Sequence, residues 1–98
     1  MPAVRIAERR LWVGDASRAL LSGEVHFWRL DPEVWPAVLD RVVELGLNIV
    51  STYVCWQFHE LGRGEFDFDG STNPRRNLLA FLDLAVSRDL WVVLRPGP

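Results

Sequence analysis

The sequence predicts an α/β fold in which parallel strands alternate with amphipathic helices. Three observations carry that prediction. Two segments, around residues 35–43 and 78–86, place apolar residues at helical spacing. Three apolar or β-branched runs, at residues 22–28, 48–56 and 90–94, flank and separate them. Strand, helix and strand then alternate in the order that gives parallel pairing through right-handed crossovers.

Taken in order, residues 6–13 and 19–21 read as two short strands around Gly14-Asp15-Ala16-Ser17, whose residues favour a turn. This leading β-hairpin occupies residues 1–21. A first core strand follows at residues 22–28, where Gly23 marks a bulge or a close backbone approach. Asp31 then suits an N-cap, Pro32 the first helical position and Glu33 the positive helix end. Trp35, Val38, Leu39, Val42 and Val43 form one apolar stripe, and Gly46 stops the helix. Pro36 removes a backbone donor early, so either the first turn is irregular or the regular helix starts later.

The second core strand spans residues 48–56, and a polar loop at 61–72 holds three of the seven glycines. Asn73 and Pro74 open a second helix with Leu78, Phe81, Leu82, Ala85 and Val86 on one face. Asp89 stands where a left-handed residue ends it. A third strand at 90–94 leads to Arg95-Pro96-Gly97-Pro98, so residues 22–98 read β-α-β-α-β.

Composition narrows the function. The chain is 49% hydrophobic, enough for a core, and its net charge is −2 with no basic stripe, which argues against nucleic acid. Cys55 is the single cysteine, so no internal disulfide is expected, and its default is a buried, inert thiol. No run approaches the ~18 apolar residues of a membrane span. The first fifteen residues lack the form of a secretory signal, so a cytoplasmic location is expected over a secreted one. Five tryptophans suit a core or a sugar-stacking surface equally.

Three parallel strands would leave an apolar edge unpaired, which native proteins avoid. A complete (β/α)₈ barrel takes ~250 residues. The expectation is therefore a partial barrel: its first three parallel strands and two helices, preceded by the short hairpin.

Function is expected where strand 48–56 ends, in the run Thr52-Tyr53-Val54-Cys55-Trp56-Gln57-Phe58-His59-Glu60. With Ile49, Ser51, Tyr53 and Cys55 on the barrel-facing side, Tyr53 lies near the top with its hydroxyl in a pocket. The alternative is a core tyrosine bonded to a backbone carbonyl. Trp56 offers a stacking platform or packs the rim. His59 and Glu60 lack the second histidine of a zinc-protease helix and read as loop-anchoring groups. His26 and Arg29 end the first strand, where they orient neighbouring groups or serve structure. Arg95 ends the third, where a guanidinium can hold a carboxylate. Asp67-Phe68-Asp69-Gly70 is not a calcium loop, because the glycine comes early and the closing glutamate is missing. No metal or cofactor is expected.

Five motifs in order carry a resemblance. Ser22-Gly23-Glu24-Val25-His26-Phe27, Gly46-Leu47-Asn48-Ile49-Val50, the run from Thr52 to Glu60, Gly64-Glu65-Phe66-Asp67-Phe68 and Leu94-Arg95-Pro96-Gly97-Pro98 resemble the start of family 35 glycoside hydrolases, the TIM-barrel β-galactosidases. Two positions depart from it, Cys55 and Leu61, where the family usually has proline. The resemblance implies retaining hydrolysis of a terminal β-galactoside by two carboxyl groups ~5–5.5 Å apart. It implies that both come from strands four and seven, outside this sequence, and that Tyr53 binds galactose. No catalytic residue is therefore expected within these residues. Two rivals stand beside this: a related glycosidase of different sugar preference, and a non-catalytic carbohydrate-binding barrel.

Overall fold

The computed structural model describes residues 2–97; Met1 and Pro98, the latter closing the Arg95-Pro96-Gly97-Pro98 motif, lie outside them. The architecture is mixed α/β. An antiparallel three-stranded sheet precedes a parallel three-stranded one, and a small two-stranded ribbon is inserted later.

The first sheet joins β1 (Val4–Ala7), β2 (Arg10–Val13) and β3 (Ala16–Ala19) in sequence order. It is a meander where the sequence reading expects a two-stranded hairpin. Glu8 and Arg9 both adopt the left-handed conformation, with φ of 56 and 60. That pair forms the two-residue connection between β1 and β2, a position normally marked by Asn or Gly. Ala16 and Ser17, expected in the second turn, instead begin β3, and the turn contracts to Gly14-Asp15. Arg18 fastens this meander to the rest of the molecule. Its guanidinium donates to the carbonyl of Asn48 at 2.8 Å and to the Asp89 carboxylate at 2.9 Å, and lies 4.4 Å from the centre of the Trp91 ring.

In the parallel sheet, β5 (Ile49–Cys55) lies between β4 (Ser22–Glu24) and β8 (Trp91–Gly97). β4 is shorter than expected because Phe27–Arg29 turns into a 3₁₀ helix. The Phe27 carbonyl there accepts from Leu30 N at 3.0 Å and from Trp35 Nε1 at 2.9 Å, not from a neighbouring strand. Gly23 is a close approach: a Cβ there would meet Leu47 Cδ1 at 3.0 Å.

Pro32–Val34 forms a 3₁₀ turn, and α1 (Trp35–Glu44) starts after it. Pro36 thus falls in the first helical turn, where its missing N–H has no intrahelical acceptor. Asp31 caps nothing with its side chain and pairs with Arg75 instead. After β5 come a single turn, α2 (Trp56–His59), and the antiparallel ribbon of β6 (Glu60–Gly62) and β7 (Glu65–Phe66). The expected irregular loop therefore contains paired backbone. Asn73 caps a 3₁₀ turn, and Asn77 caps α3 (Leu78–Ser87) by accepting from Ala80 N at 3.0 Å. Asp89, at φ 57, ends that helix as expected.

The core lies between the two long helices and one face of the parallel sheet. Val25, Phe27, Val50 and Val54 are buried there with Trp35, Leu39, Val42, Leu78, Phe81 and Ala85. The pleat therefore turns Glu24, Ser51 and Tyr53 to the opposite face.

Asp67 organises the loop after the ribbon. One carboxylate oxygen accepts from the N–H groups of Asp69 and Gly70, and the other from the N–H and hydroxyl of Thr72. No metal is needed to occupy these oxygens. The Thr72 hydroxyl first, and then these backbone donors, hold the Asp67 carboxyl well below the usual carboxylate range, against the opposing effect of burial. A carboxyl depressed in the folded state favours folding above its unfolded value of ~3.9 and ceases to do so as pH falls toward the folded value. Asp67→Asn presents an amide NH₂ to donors and is expected to lower the urea midpoint at pH 7. It should also flatten the decline in stability below about pH 4. An unchanged midpoint and acid limb would remove Asp67 from this role.

Candidate functional site

Parallel sheets bind ligands beyond the carboxyl ends of their strands. At that end Glu24, Tyr53 and Arg95 lie on the face away from the helices, with His26 and Trp28 beside them from the segment that follows β4. Register aligns the first three. Glu24 lies beside Ser51, and Tyr53 beside Arg95, so residues from all three strands share one face.

Tyr53 is half-buried, and a Cβ at Gly97 would lie 3.5 Å from its ring. Trp28 meets the Tyr53 ring edge-on, with centres 6.2 Å apart, and donates Nε1–H to the Tyr53 carbonyl at 2.7 Å. That bond fixes the backbone carrying the tyrosine. The His26 ring is 6.2 Å from Tyr53 and 5.8 Å from Trp28. Its Nε2 bonds to Glu24 Oε1 at 2.9 Å, and the same oxygen is the partner of Arg95 Nη2. A carboxylate only accepts, so Nε2 carries the proton and a neutral ring has its lone pair on Nδ1.

The structure thus brings Tyr53, His26 and Arg95 together and leaves Trp56 and Glu60 aside. Trp56 packs against Phe66 with centres 4.7 Å apart, at the ribbon. Glu60 is exposed and accepts from Gly64 N at 3.5 Å, within the same ribbon. Arg29 lies over the outer side of Trp28, 4.7 Å from its ring centre. His59 is fully buried and anchors the loop: its Nδ1–H donates to the Asp67 carbonyl at 2.8 Å, while Asp67 N–H donates to the His59 carbonyl at 2.9 Å. Cys55 is half-buried and reduced. Among the described residues no group of three or more His, Cys, Asp or Glu side chains is placed to hold a metal, and no helix is long and apolar enough to cross a membrane.

Glu24 and Trp28 are the members that the sequence reading does not single out. Alternation sets Glu24 on the side opposite Val25. It gives no signal for Trp28, which lies in the 3₁₀ turn, or for the Arg95 partner of Glu24.

A polar and aromatic cluster at the carboxyl end of parallel strands stands where ligands bind in α/β folds. Residues 10–98 match the glycosyl hydrolases family 35, and the chain belongs to that family. It is 39% identical, over its whole length, to an exo-beta-D-glucosaminidase of Thermococcus kodakarensis, covering 12% of that protein. It is 42% identical over 81% of its length to a beta-1,2-glucosyltransferase of Ignavibacterium album, covering 11% of it. Over 86% of its length it is 40% identical to the human beta-galactosidase-1-like protein 2, covering 13% of that protein. The chain therefore spans about an eighth of the length of these relatives.

Proposed function

We propose that this chain forms the opening three strands of a TIM barrel, the (β/α)₈ fold, in a retaining glycoside hydrolase that releases terminal β-D-galactose. In this reading residues 1–21 lead into the barrel, and residues 22–98 supply its first strands. Tyr53 hydrogen-bonds the sugar, while His26, Trp28 and Arg95 hold the wall behind it. The observation that carries the reading is the convergence of Tyr53 and Arg95, on adjacent parallel strands, with His26 from the segment that follows β4.

Retention needs two carboxyl groups ~5–5.5 Å apart, one as acid/base and one as nucleophile. Among the described residues of the cluster, Glu24 is the one carboxylate, and it is already bound by Arg95 and His26. In this reading the catalytic pair comes, as the family resemblance implies, from sequence beyond these residues, and the 98-residue chain alone is expected to be inactive. Relatives named exo-beta-D-glucosaminidase, at 39% and 40% identity, favour a second reading in which the sugar is an amino sugar.

The test is a comparison of chromogenic β-galactoside, β-glucoside and β-glucosaminide with the longer protein that carries this chain. The galactoside is expected to give the highest kcat/KM, with no turnover by the 98-residue chain. A higher kcat/KM for the glucosaminide would replace galactose with the amino sugar, and turnover by the short chain would put the carboxyl pair within it.

A further inference from the structure

We propose that Glu24 is a positioning residue: it fixes the Arg95 guanidinium and the His26 imidazole beneath the sugar, and substrate turnover depends on that fixation. The proposal rests on the sugar-binding reading above and concerns a residue which that reading leaves without a task.

The geometry sets Glu24 apart from an ordinary surface ion pair. It stands on β4 and Arg95 on β8, so their bridge crosses the whole width of the intervening strand β5. At the Glu24 level β5 carries Ser51, a side chain small enough to leave the crossing open. One oxygen, Oε1, receives both Arg95 and His26. Two groups from different segments are therefore set by a single carboxylate.

The Glu24 and Arg95 side chains are half-exposed among these residues, so the bridge leaves part of each open toward a ligand. What the bridge supplies is position. A lone arginine on a flexible stem samples many rotamers, whereas one held by a carboxylate presents the rest of its N–H fork in one orientation. His26 gains a fixed tautomer in the same way, and its Nδ1 is buried without a partner among the described residues.

The test uses the longer protein and the variants Glu24→Gln, Glu24→Asp, Arg95→Gln and Glu24→Gln combined with Arg95→Gln. Glu24→Gln is expected to lower kcat/KM on the preferred glycoside about tenfold, since small losses of alignment carry penalties of this order. Activity is read on variants whose far-UV circular dichroism matches wild type, so that loss of fold is not counted as loss of alignment. Glu24→Asp should recover part of the loss. The double variant should lose less than the sum of the two single losses, because Glu24 acts partly through Arg95 and partly through His26.

Wild-type kcat/KM in Glu24→Gln would overturn the proposal, and so would additive losses in the double variant. If Glu24→Gln fails to fold, Glu24→Asp and the sugar affinity of Arg95→Gln by calorimetry still decide. Full activity and affinity in both overturn it, and losses in both uphold it. Activity on a glycoside other than galactose overturns the galactose reading alone, and the same series on that glycoside still tests Glu24. A protein that neither cleaves nor binds any of the three sugars overturns both.

Discussion

Trp35→Ala is expected to lower the unfolding free energy by about 3–5 kcal/mol, the range for truncating a large buried aromatic. Trp35 is 1% exposed. Its ring meets Phe27 and Phe81 edge-on, with centres 5.8 Å and 5.6 Å away, and these three rings join the 3₁₀ turn after β4 to α1 and α3. Truncation opens a cavity where the 3₁₀ turn and both helices meet in the core. It also removes the Nε1 donor to the Phe27 carbonyl, the bond that helps turn the chain out of β4. Trp35→Phe separates the two contributions. It keeps most of the apolar area, loses the donor, and is expected to cost about 1–2 kcal/mol. Urea unfolding of both variants measures the difference, with an unchanged slope as the check on two-state behaviour. A loss below about 1.5 kcal/mol for Trp35→Ala would mean that the site collapses around the smaller residue and that the three-ring contact is not central.

The helices and parallel strands were legible because their signals are long and redundant. Trp35, Leu39 and Val42 repeat at helical spacing and are all buried. The run from Ile49 to Val54 is β-branched and is the middle strand. Short elements were not legible for a definite reason. Glu8-Arg9 turns with no glycine, asparagine or proline to announce it, so β1 and β2 read as a single strand. The β6–β7 ribbon is only a few residues long and is held by register and by the His59–Asp67 bonds, which sequence spacing does not reveal. Phe27 illustrates tertiary override: its residue type suits a strand, but its carbonyl is claimed by Trp35.

The candidate site was legible in part, and the division follows the same logic. Tyr53 and Arg95 lie at strand ends, where alternation alone predicts their side. Trp56 and Glu60 lie beyond the last residue of β5, where a helical turn redirects the chain and alternation ceases to apply. That turn sends Trp56 to the ribbon. Glu24 was passed over because its importance lies in a partner 71 residues away. No local pattern encodes a pairing across two strand registers.

Tyr53→Phe is expected to lower kcat/KM on the preferred glycoside by about 10- to 100-fold in the longer protein. The ring is retained, so the contacts with Trp28, His26 and Gly97 survive and the fold should not change. Only the hydroxyl is lost. Under the proposed function, a sugar hydroxyl is then left desolvated without its partner, a penalty of about 1–3 kcal/mol. At about 1.4 kcal/mol per decade this corresponds to the stated range. Tyr53→Ala should lose more, because it also empties the space between Trp28 and Gly97. The split between constants carries further information. A rise in KM with constant kcat means that the hydroxyl binds ground state and transition state alike. An equal fall in kcat and kcat/KM means that its bond forms only as the ring distorts toward the oxocarbenium-like state. The proposed site favours the second, because Trp28 fixes the Tyr53 backbone through its carbonyl and packs against its ring, which limits how far the hydroxyl can follow a ground-state sugar. Unchanged kcat/KM in Tyr53→Phe would remove the hydroxyl from the site and leave Tyr53 as a wall residue.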